Sequence, residues 1–171
     1  MAESDRSRRS WSRRVYSWLL QAALLLILLS SIHLWQTRNV ASGTAPQLVG
    51  RTVQGDHFDL ATAEGPILVH FWATWCPVCR LELGNIDALY PDYGVITVAM
   101  MSGADGEILQ YLRDKGVDFP VISDPSGSIA HTWGVSGVPA SFVLDGQGNI
   151  RFIEVGYTTS LGMRARLWLA R

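Results

Sequence analysis

The only two cysteines of this 171-residue chain lie in one tetrapeptide, Cys76-Pro77-Val78-Cys79. The tetrapeptide follows almost directly on a dense apolar run over residues 67–73. A C-x-x-C motif at the end of a buried strand and the start of a helix is typical of a redox-active dithiol. We therefore expect this pair to alternate between a dithiol and a disulfide.

The two cysteines are expected to have unequal roles. Pro77 favours the first position of a helix, so Cys76 is predicted to cap the helix N-terminus. Free backbone N–H groups and the helix dipole would stabilise a thiolate there and lower the pKa of Cys76. Cys79 follows one turn later on the same face and should be more buried. We expect Cys76 to attack a disulfide and Cys79 to resolve the mixed disulfide.

Other uses of the cysteine pair fit the sequence less well. Structural zinc needs four ligands, but there is no second cysteine pair, and the four histidines show no close paired spacing. A structural disulfide across so short a loop would restrain the unfolded chain little. We therefore expect no metal and no cofactor, with electrons passing between protein dithiols. A redox-inert binding module remains an alternative.

The N-terminal region has the pattern of a membrane anchor. Residues 15–35 contain no Asp, Glu, Lys or Arg, and this length can cross a bilayer as a helix. Residues 1–14 carry five arginines against two acidic residues, so the positive-inside rule leaves this basic tail in the cytoplasm. A cleaved signal peptide, the alternative, has a shorter apolar core. Either way the C-terminal domain is expected outside the cytoplasm, most simply in the bacterial periplasm.

Residues 36–46 are expected to form a linker and residues 47–171 a single folded domain. Because the basic tail holds five arginines of a chain with net charge −1, the remainder is weakly acidic, unlike a nucleic-acid-binding surface. The apolar and turn patterns predict a small hairpin followed by the order β-α-β-α-(β)-α-β-β-α. This alternation favours a layered α/β domain with helices on both faces of a central sheet. The helix after the cysteines is predicted to bury Val78, Leu81, Ile86 and Leu89.

Two separate segments resemble the thioredoxin superfamily. ILVHFWATWCPVC over residues 67–79 resembles its active-site strand and helix start, and GVSGVPASFVLD over residues 134–145 resembles its cis-proline loop and next strand. The resemblance implies a thioredoxin-like three-layer α/β/α fold over residues 47–171. The WATWC segment and the glutamate after the second cysteine are most similar to the membrane-anchored TlpA-like branch. That branch includes cytochrome c maturation thioredoxins and, with a similarly short anchor and compact domain, the suppressor-of-copper-sensitivity D proteins.

The resemblance implies a substrate-binding surface beside the cysteines. Pro139 is expected to be a cis-proline, whose missing N–H leaves no competing donor near the sulfurs. The Val138 backbone beside it can then pair with an extended substrate segment. Trp75, which precedes the attacking cysteine, is expected to form an apolar rim where a partner protein docks.

Two further residues are candidates for proton transfer. His70 stands where thioredoxins have a buried aspartate, and it could exchange a proton with Cys79. Glu82 matches the glutamate of TlpA-like reductases, and a partly buried carboxylate there would have a raised pKa. The alternatives are a neutral, hydrogen-bonded imidazole for His70 and a solvated helix carboxylate for Glu82. Gly84 replaces a proline that is common in TlpA-like proteins.

The same resemblance implies a reductase of protein disulfides that receives its electrons from a membrane-bound donor. The residues leave the direction open, because it depends on the relative stabilities of the dithiol and disulfide forms. A disulfide oxidase or isomerase therefore remains an alternative, as does a reductase dedicated to cytochrome c maturation.

Overall fold

The computed structural model describes residues 18–28 and 41–171, and the chain divides into two compact units, Met1–Arg38 and Asn39–Arg171. In the first unit, residues 18–28 are helical. Within the described residues, no helix has both the length and the apolar character needed to cross a membrane. The predicted basic tail and both ends of the predicted anchor over residues 15–35 lie outside the described residues, so the anchor stays a prediction.

A short antiparallel hairpin opens the second unit. β1 (Val49–Arg51) pairs with β2 (His57–Asp59). The turn between them holds Gly55 at a φ of 105°, a conformation that glycine adopts without strain. The hairpin and its turn are therefore as the sequence predicts. A short 3-10 helix, Leu60–Thr62, leads to the central sheet.

The centre of the unit is a five-stranded mixed sheet in the order β5-β4-β3-β6-β7. β3 (Ile67–Trp72) lies in the middle, parallel to β4 (Gly94–Met100) and antiparallel to β6 (Ala140–Leu144). β5 (Val121–Asp124) and β7 (Ile150–Val155) form the edges. Every residue of β3 and β6 is buried, which explains their continuous apolar sequences.

Four helices connect and cover the strands of this sheet. They are α1 (Pro77–Asp87), α2 (Asp105–Lys115), α3 (Ser128–Thr132) and α4 (Ser160–Leu169). α2 ends at Gly116, which takes the left-handed conformation with a φ of 65°, a frequent helix terminator. The order of strands and helices is the predicted one, and the α/β layers are confirmed.

Each face of the sheet carries its own apolar core. Successive side chains of a strand point to opposite faces. Leu68 and Trp72 of β3 therefore lie in the core beneath α1, α2 and α4, whereas Phe71 lies in the opposite core. By the same alternation His70, between Val69 and Phe71, points to the α1 side. The sheet thus brings His70 to the side on which the cysteine-bearing helix packs.

The apolar stripe predicted for α1 is partly wrong. Val78 and Leu81 are 40% and 74% exposed. The residues that α1 buries are Cys79, Glu82, Leu83 and Ile86. The helix turns a cysteine and a glutamate toward the sheet, so a prediction that assigns glutamate to solvent selects the wrong face. The helix also ends at Asp87, before the buried Leu89.

Candidate active site

Cys76 caps the N-terminus of α1, as the sequence predicts. Its backbone is extended, Pro77 takes the first turn, and its sulfur accepts a hydrogen bond from the Cys79 N–H at 3.1 Å. Cys76 and Cys79 form a disulfide, and the two side chains are 3% and 0% exposed. When the disulfide is reduced, free N–H groups and the helix dipole would stabilise a thiolate at Cys76.

The loop before β6 lies against this disulfide. The Val138–Pro139 peptide bond is cis, as expected from the resemblance. The Val138 carbonyl oxygen lies 3.6 Å from the Cys76 sulfur. Pro139 is buried and Val138 is half-buried. The loop therefore presents a backbone carbonyl directly beside the sulfur that is expected to react.

Trp75 forms an exposed aromatic surface next to Cys76. The indole is 55% exposed, and its Nε1 donates to the Met101 carbonyl oxygen at 3.1 Å. The neighbouring Thr74 N–H donates to Ser102 Oγ at 3.0 Å. These two hydrogen bonds join the turn before α1 to the loop after β4. They hold the ring in place as an apolar contact surface.

Glu82 is fully buried on the same face of α1 as Cys79. Its Oε1 accepts a hydrogen bond from the Thr158 N–H at 3.2 Å, and its Oε2 has no hydrogen-bond partner among the described residues. Burial raises the pKa of Glu82 to about 7, and the Thr158 hydrogen bond offsets part of that increase. The solvated-carboxylate alternative is therefore wrong, and Glu82 can exchange a proton near neutral pH.

His70 is fully buried in the middle of β3. Its Nδ1 lies 2.9 Å from Oγ of Ser141, which stands directly opposite on β6. Its Nε2 has no partner among the described residues. Burial lowers the pKa of His70 to about 3, so the imidazole is neutral at physiological pH. This environment matches the alternative of a neutral imidazole held by a hydrogen bond.

The sequence analysis missed Ser141, Asn85 and Thr158. Asn85 Nδ2 donates to the Thr158 carbonyl oxygen at 3.0 Å and to the Tyr157 hydroxyl at 3.1 Å. Together with Glu82, which accepts from the Thr158 N–H, Asn85 fixes the loop between β7 and α4. Glu82 and Asn85 are three residues apart, so they are neighbours on the same side of α1. Their partners lie more than 70 positions away, where no local pattern points to them.

Comparison with known proteins identifies the class to which this site belongs. The family model described as Redoxin matches residues 41–165. The chain belongs to the Redoxin family. A thioredoxin-like protein of Haemophilus influenzae is 30% identical over 154 residues, covering 88% of this chain and 92% of that protein. The thiol-disulfide oxidoreductase ResA of Geobacillus thermodenitrificans is 26% identical, covering 95% and 96% of the two chains.

Solved structures agree with this assignment. A thiol:disulfide interchange protein of the thioredoxin family from Chlorobium tepidum superimposes with a TM-score of 0.67 at 25% identity. The match covers 76% of this chain and 97% of that protein. The Redoxin-family domain therefore has the predicted thioredoxin-like fold. With its C-x-x-C disulfide between Cys76 and Cys79, it is a protein-disulfide oxidoreductase.

Proposed function

We propose that this Redoxin-family protein reduces disulfides of exported proteins while anchored to the cell membrane. The observation that carries the proposal is the Cys76–Cys79 disulfide at the N-terminus of α1, where the Cys76 sulfur accepts a hydrogen bond from the Cys79 N–H. Such a position favours the thiolate form that attacks disulfides. The preference for reduction over oxidation follows from the similarity to TlpA-like reductases.

The reaction proceeds in two exchanges. The Cys76 thiolate attacks one sulfur of a partner disulfide, so a Cys76–partner bond forms, the partner's S–S bond breaks, and its other sulfur leaves as a thiolate. Cys79, once deprotonated, attacks the Cys76 sulfur. The intramolecular disulfide forms, and the second partner sulfur leaves and takes up a proton. Two electrons pass from this protein to the partner.

Glu82 is the proposed acceptor of the proton that Cys79 loses. It lies on the Cys79 face of α1, and its pKa of about 7 suits a base that acts near neutral pH. His70 faces the same side of the sheet and is proposed as a second proton carrier. A neutral imidazole has one N–H and one lone pair, so it can pass a proton without carrying charge.

The partner is proposed to bind between Trp75 and the loop that contains Val138 and Pro139. The Val138 backbone lies beside the reacting sulfur, where an extended partner segment can pair with it. Trp75 supplies an exposed apolar contact. Both surfaces are therefore next to the Cys76 sulfur, the atom that the partner's disulfide must reach.

The oxidised protein has to be reduced again before the next cycle. Residues 15–35 and the five arginines before them support an inner-membrane anchor with the N-terminus in the cytoplasm and the domain in the periplasm. Cytosolic reductants do not reach that compartment. We therefore propose that a membrane-bound dithiol protein supplies the electrons.

The reduction potential tests the proposed direction. Equilibration of the full chain with glutathione should give a value below about −200 mV, toward the thioredoxin end of the known range. A strongly oxidising value, near about −120 mV, would instead assign an oxidase. Cys79→Ala should accumulate mixed disulfides through Cys76, and Cys76→Ser should abolish turnover. Turnover that is at the background level in the wild type and unchanged in Cys76→Ser would favour the redox-inert binding module.

A further inference from the structure

Residues 156–159 join β7 to α4, and we call them the β7–α4 loop. The Gly156 N–H donates to the Pro139 carbonyl oxygen at 2.9 Å. The Thr158 N–H donates to Glu82 Oε1 at 3.2 Å, and Thr158 is itself buried. The loop therefore bonds both to the cis-proline segment and to the helix that carries the cysteines.

Asn85 holds this loop from α1. Its Nδ2 donates to the Thr158 carbonyl oxygen at 3.0 Å and to the Tyr157 hydroxyl at 3.1 Å. A carbonyl oxygen only accepts hydrogen bonds, so the nitrogen of the amide must face Thr158. The NH₂ group has two hydrogens and can donate both bonds at once. The side chain thus fixes the carbonyl side of Thr158.

Glu82 and Asn85 bond to the same loop residue from one side of α1. Glu82 accepts from the Thr158 N–H, and Asn85 donates to the Thr158 carbonyl. One helix therefore holds both backbone polar groups of Thr158. Because the peptide groups on either side of Thr158 are held together, the aim of its N–H toward Glu82 follows from where Asn85 holds its carbonyl.

The ionisable groups on the elements around Glu82 are neutral or paired. Cys79 on α1 is in the disulfide, and His70 on β3 is neutral because burial lowers its pKa to about 3. Charged residues of β7 and α4 form these ion pairs among the described residues: Arg151 with Asp145, Arg164 with Asp92 and Arg166 with Glu154. The pKa of Glu82 is accordingly raised by burial and lowered by the Thr158 hydrogen bond.

The Thr158 hydrogen bond also makes the two oxygens of Glu82 different. Oε1 accepts from the Thr158 N–H, whereas Oε2 has no hydrogen-bond partner among the described residues. An N–H donor stabilises the charged carboxylate more than the neutral acid. Oε2 is therefore the oxygen that is left to take up a proton.

We propose that Asn85 is a positioning residue for disulfide exchange: by fixing the β7–α4 loop, it aims the Thr158 N–H at Glu82 and keeps that side chain in the carboxylate form that accepts a proton. The inference rests on the proposed function and adds one residue to it. In the resolving step the Cys79 S–H bond breaks, and the proton passes to Glu82 Oε2. The electron pair stays on the Cys79 sulfur, which attacks the Cys76 sulfur and expels the partner thiolate. Asn85 touches none of these atoms.

Asn85→Leu tests this proposal, because leucine has nearly the size of asparagine but cannot donate a hydrogen bond. ¹³C NMR of the Glu82 carboxyl in the oxidised full chain, in detergent micelles, measures its pKa, and Glu82→Gln identifies the resonance. The variant should raise this pKa by at least about half a pH unit, or about threefold tighter proton binding, because the carboxylate loses a well-aimed donor. An unchanged or lower pKa would overturn the proposal.

Tyr157→Phe separates the two hydrogen bonds of the Asn85 amide. It removes the hydroxyl acceptor and leaves the Thr158 carbonyl in place. The Glu82 pKa should therefore rise by less than half as much as in Asn85→Leu. An equal rise would assign the effect to the Tyr157 hydroxyl and would contradict the proposal.

Gln54→Ala is the matched control, because the Gln54 amide also holds a backbone carbonyl, that of Phe119 at 3.0 Å, in the segment before edge strand β5. It should leave the Glu82 pKa unchanged, and the same rise there would refute a specific role for Asn85. One measurement needs no variant. In the wild type, the Thr158 amide resonance should shift with the titration of Glu82, and a resonance that stays constant over pH 5–9 would also refute the proposal.

The titration of the oxidised protein requires no reductase activity, so it separates this inference from the proposed function. Stopped-flow rates of the resolving step in Asn85→Leu should show an inflection that moves upward with the Glu82 pKa. If the pKa rises and the inflection does not, Asn85 still positions the Thr158 N–H, and the role of Glu82 in exchange fails. If the wild type reduces no disulfide, the reductase function fails, and the NMR titration still decides what Asn85 does.

Discussion

Two ionisable side chains are enclosed on the α1 side of the sheet, and burial shifts their pKa values in opposite directions. The pKa of Glu82 rises to about 7 and that of His70 falls to about 3, because burial disfavours the charged form of either group. Between these two values both side chains are mainly neutral. Glu82 is therefore the member of the pair that changes charge within the physiological range.

Glu82→Gln removes this titration but keeps the size of the side chain. We expect the wild-type rate of disulfide exchange to show an inflection near pH 7, and the variant to lose it. At pH 7 the rate of the resolving step should fall by about 100-fold or more, the usual contribution of general acid–base catalysis. Stopped-flow reduction of a small disulfide across pH 5–9 measures both effects. Glu64→Gln, at an exposed carboxylate, is the control, and an unchanged inflection in Glu82→Gln would contradict the role.

Glu82 should also make stability depend on pH in an unusual direction. Its folded pKa of about 7 lies above its ordinary value of 4.5, so the folded state binds the proton more tightly than the unfolded state. The resulting stability is present below pH 4.5 and is lost as the pH rises toward 7, by up to about 1.4 kcal/mol per pH unit. Urea denaturation of Glu82→Gln should show a smaller decline over this range.

A polar contact joins the neighbouring strands β3 and β6 inside an otherwise apolar layer. His70 on β3 and Ser141 on β6 stand opposite each other and meet at 2.9 Å. This contact gives the buried imidazole the one hydrogen bond that it makes among the described residues. It therefore couples the strand before the cysteines to the strand after the cis-proline.

Ser141→Ala should destabilise the protein by about 1–3 kcal/mol, because it leaves a buried imidazole nitrogen without a partner. Ser126→Ala, at an exposed position, should change the free energy of unfolding by less than about 0.5 kcal/mol. Chemical denaturation at pH 7.5, where His70 is neutral, measures both. Equal small effects would show that the contact contributes little.

The strands and helices could be predicted because their signals are local. β3 lies on a dense apolar run, and α2 ends at Gly116, a residue type that commonly terminates helices. The cysteines and Pro139 belong to short sequence motifs that can be recognised without a structure. The inward face of α1 could not be predicted from apolar spacing, since burial of Glu82 depends on Thr158, 76 positions away. The contact between Ser141 and His70 likewise follows from strand register, which no local pattern encodes.

For the whole molecule, the proposed topology can be tested with the two cysteines themselves. Because the chain has no other cysteine, a thiol reagent reports only on this site. In intact spheroplasts treated with a reductant, a membrane-impermeant maleimide should label the protein, and carbonate washing should leave it in the membrane fraction. Labelling that requires permeabilisation would place the domain in the cytoplasm. Cys76→Ser with Cys79→Ala gives the unlabelled control.

The hairpin before β3 has a consequence for how copies of this protein behave toward each other. Val53, in the turn of the hairpin, donates its N–H to the Val121 carbonyl on edge strand β5 at 2.8 Å, and the side-chain oxygen of Gln54 accepts from the Val121 N–H at 3.2 Å. At the opposite edge, the Gly43 carbonyl accepts from the Ile150 N–H at 2.7 Å. Open sheet edges promote strand pairing between molecules and aggregation. By occupying these backbone groups, the segments before β3 limit edge-to-edge association, even where neighbouring molecules are crowded together.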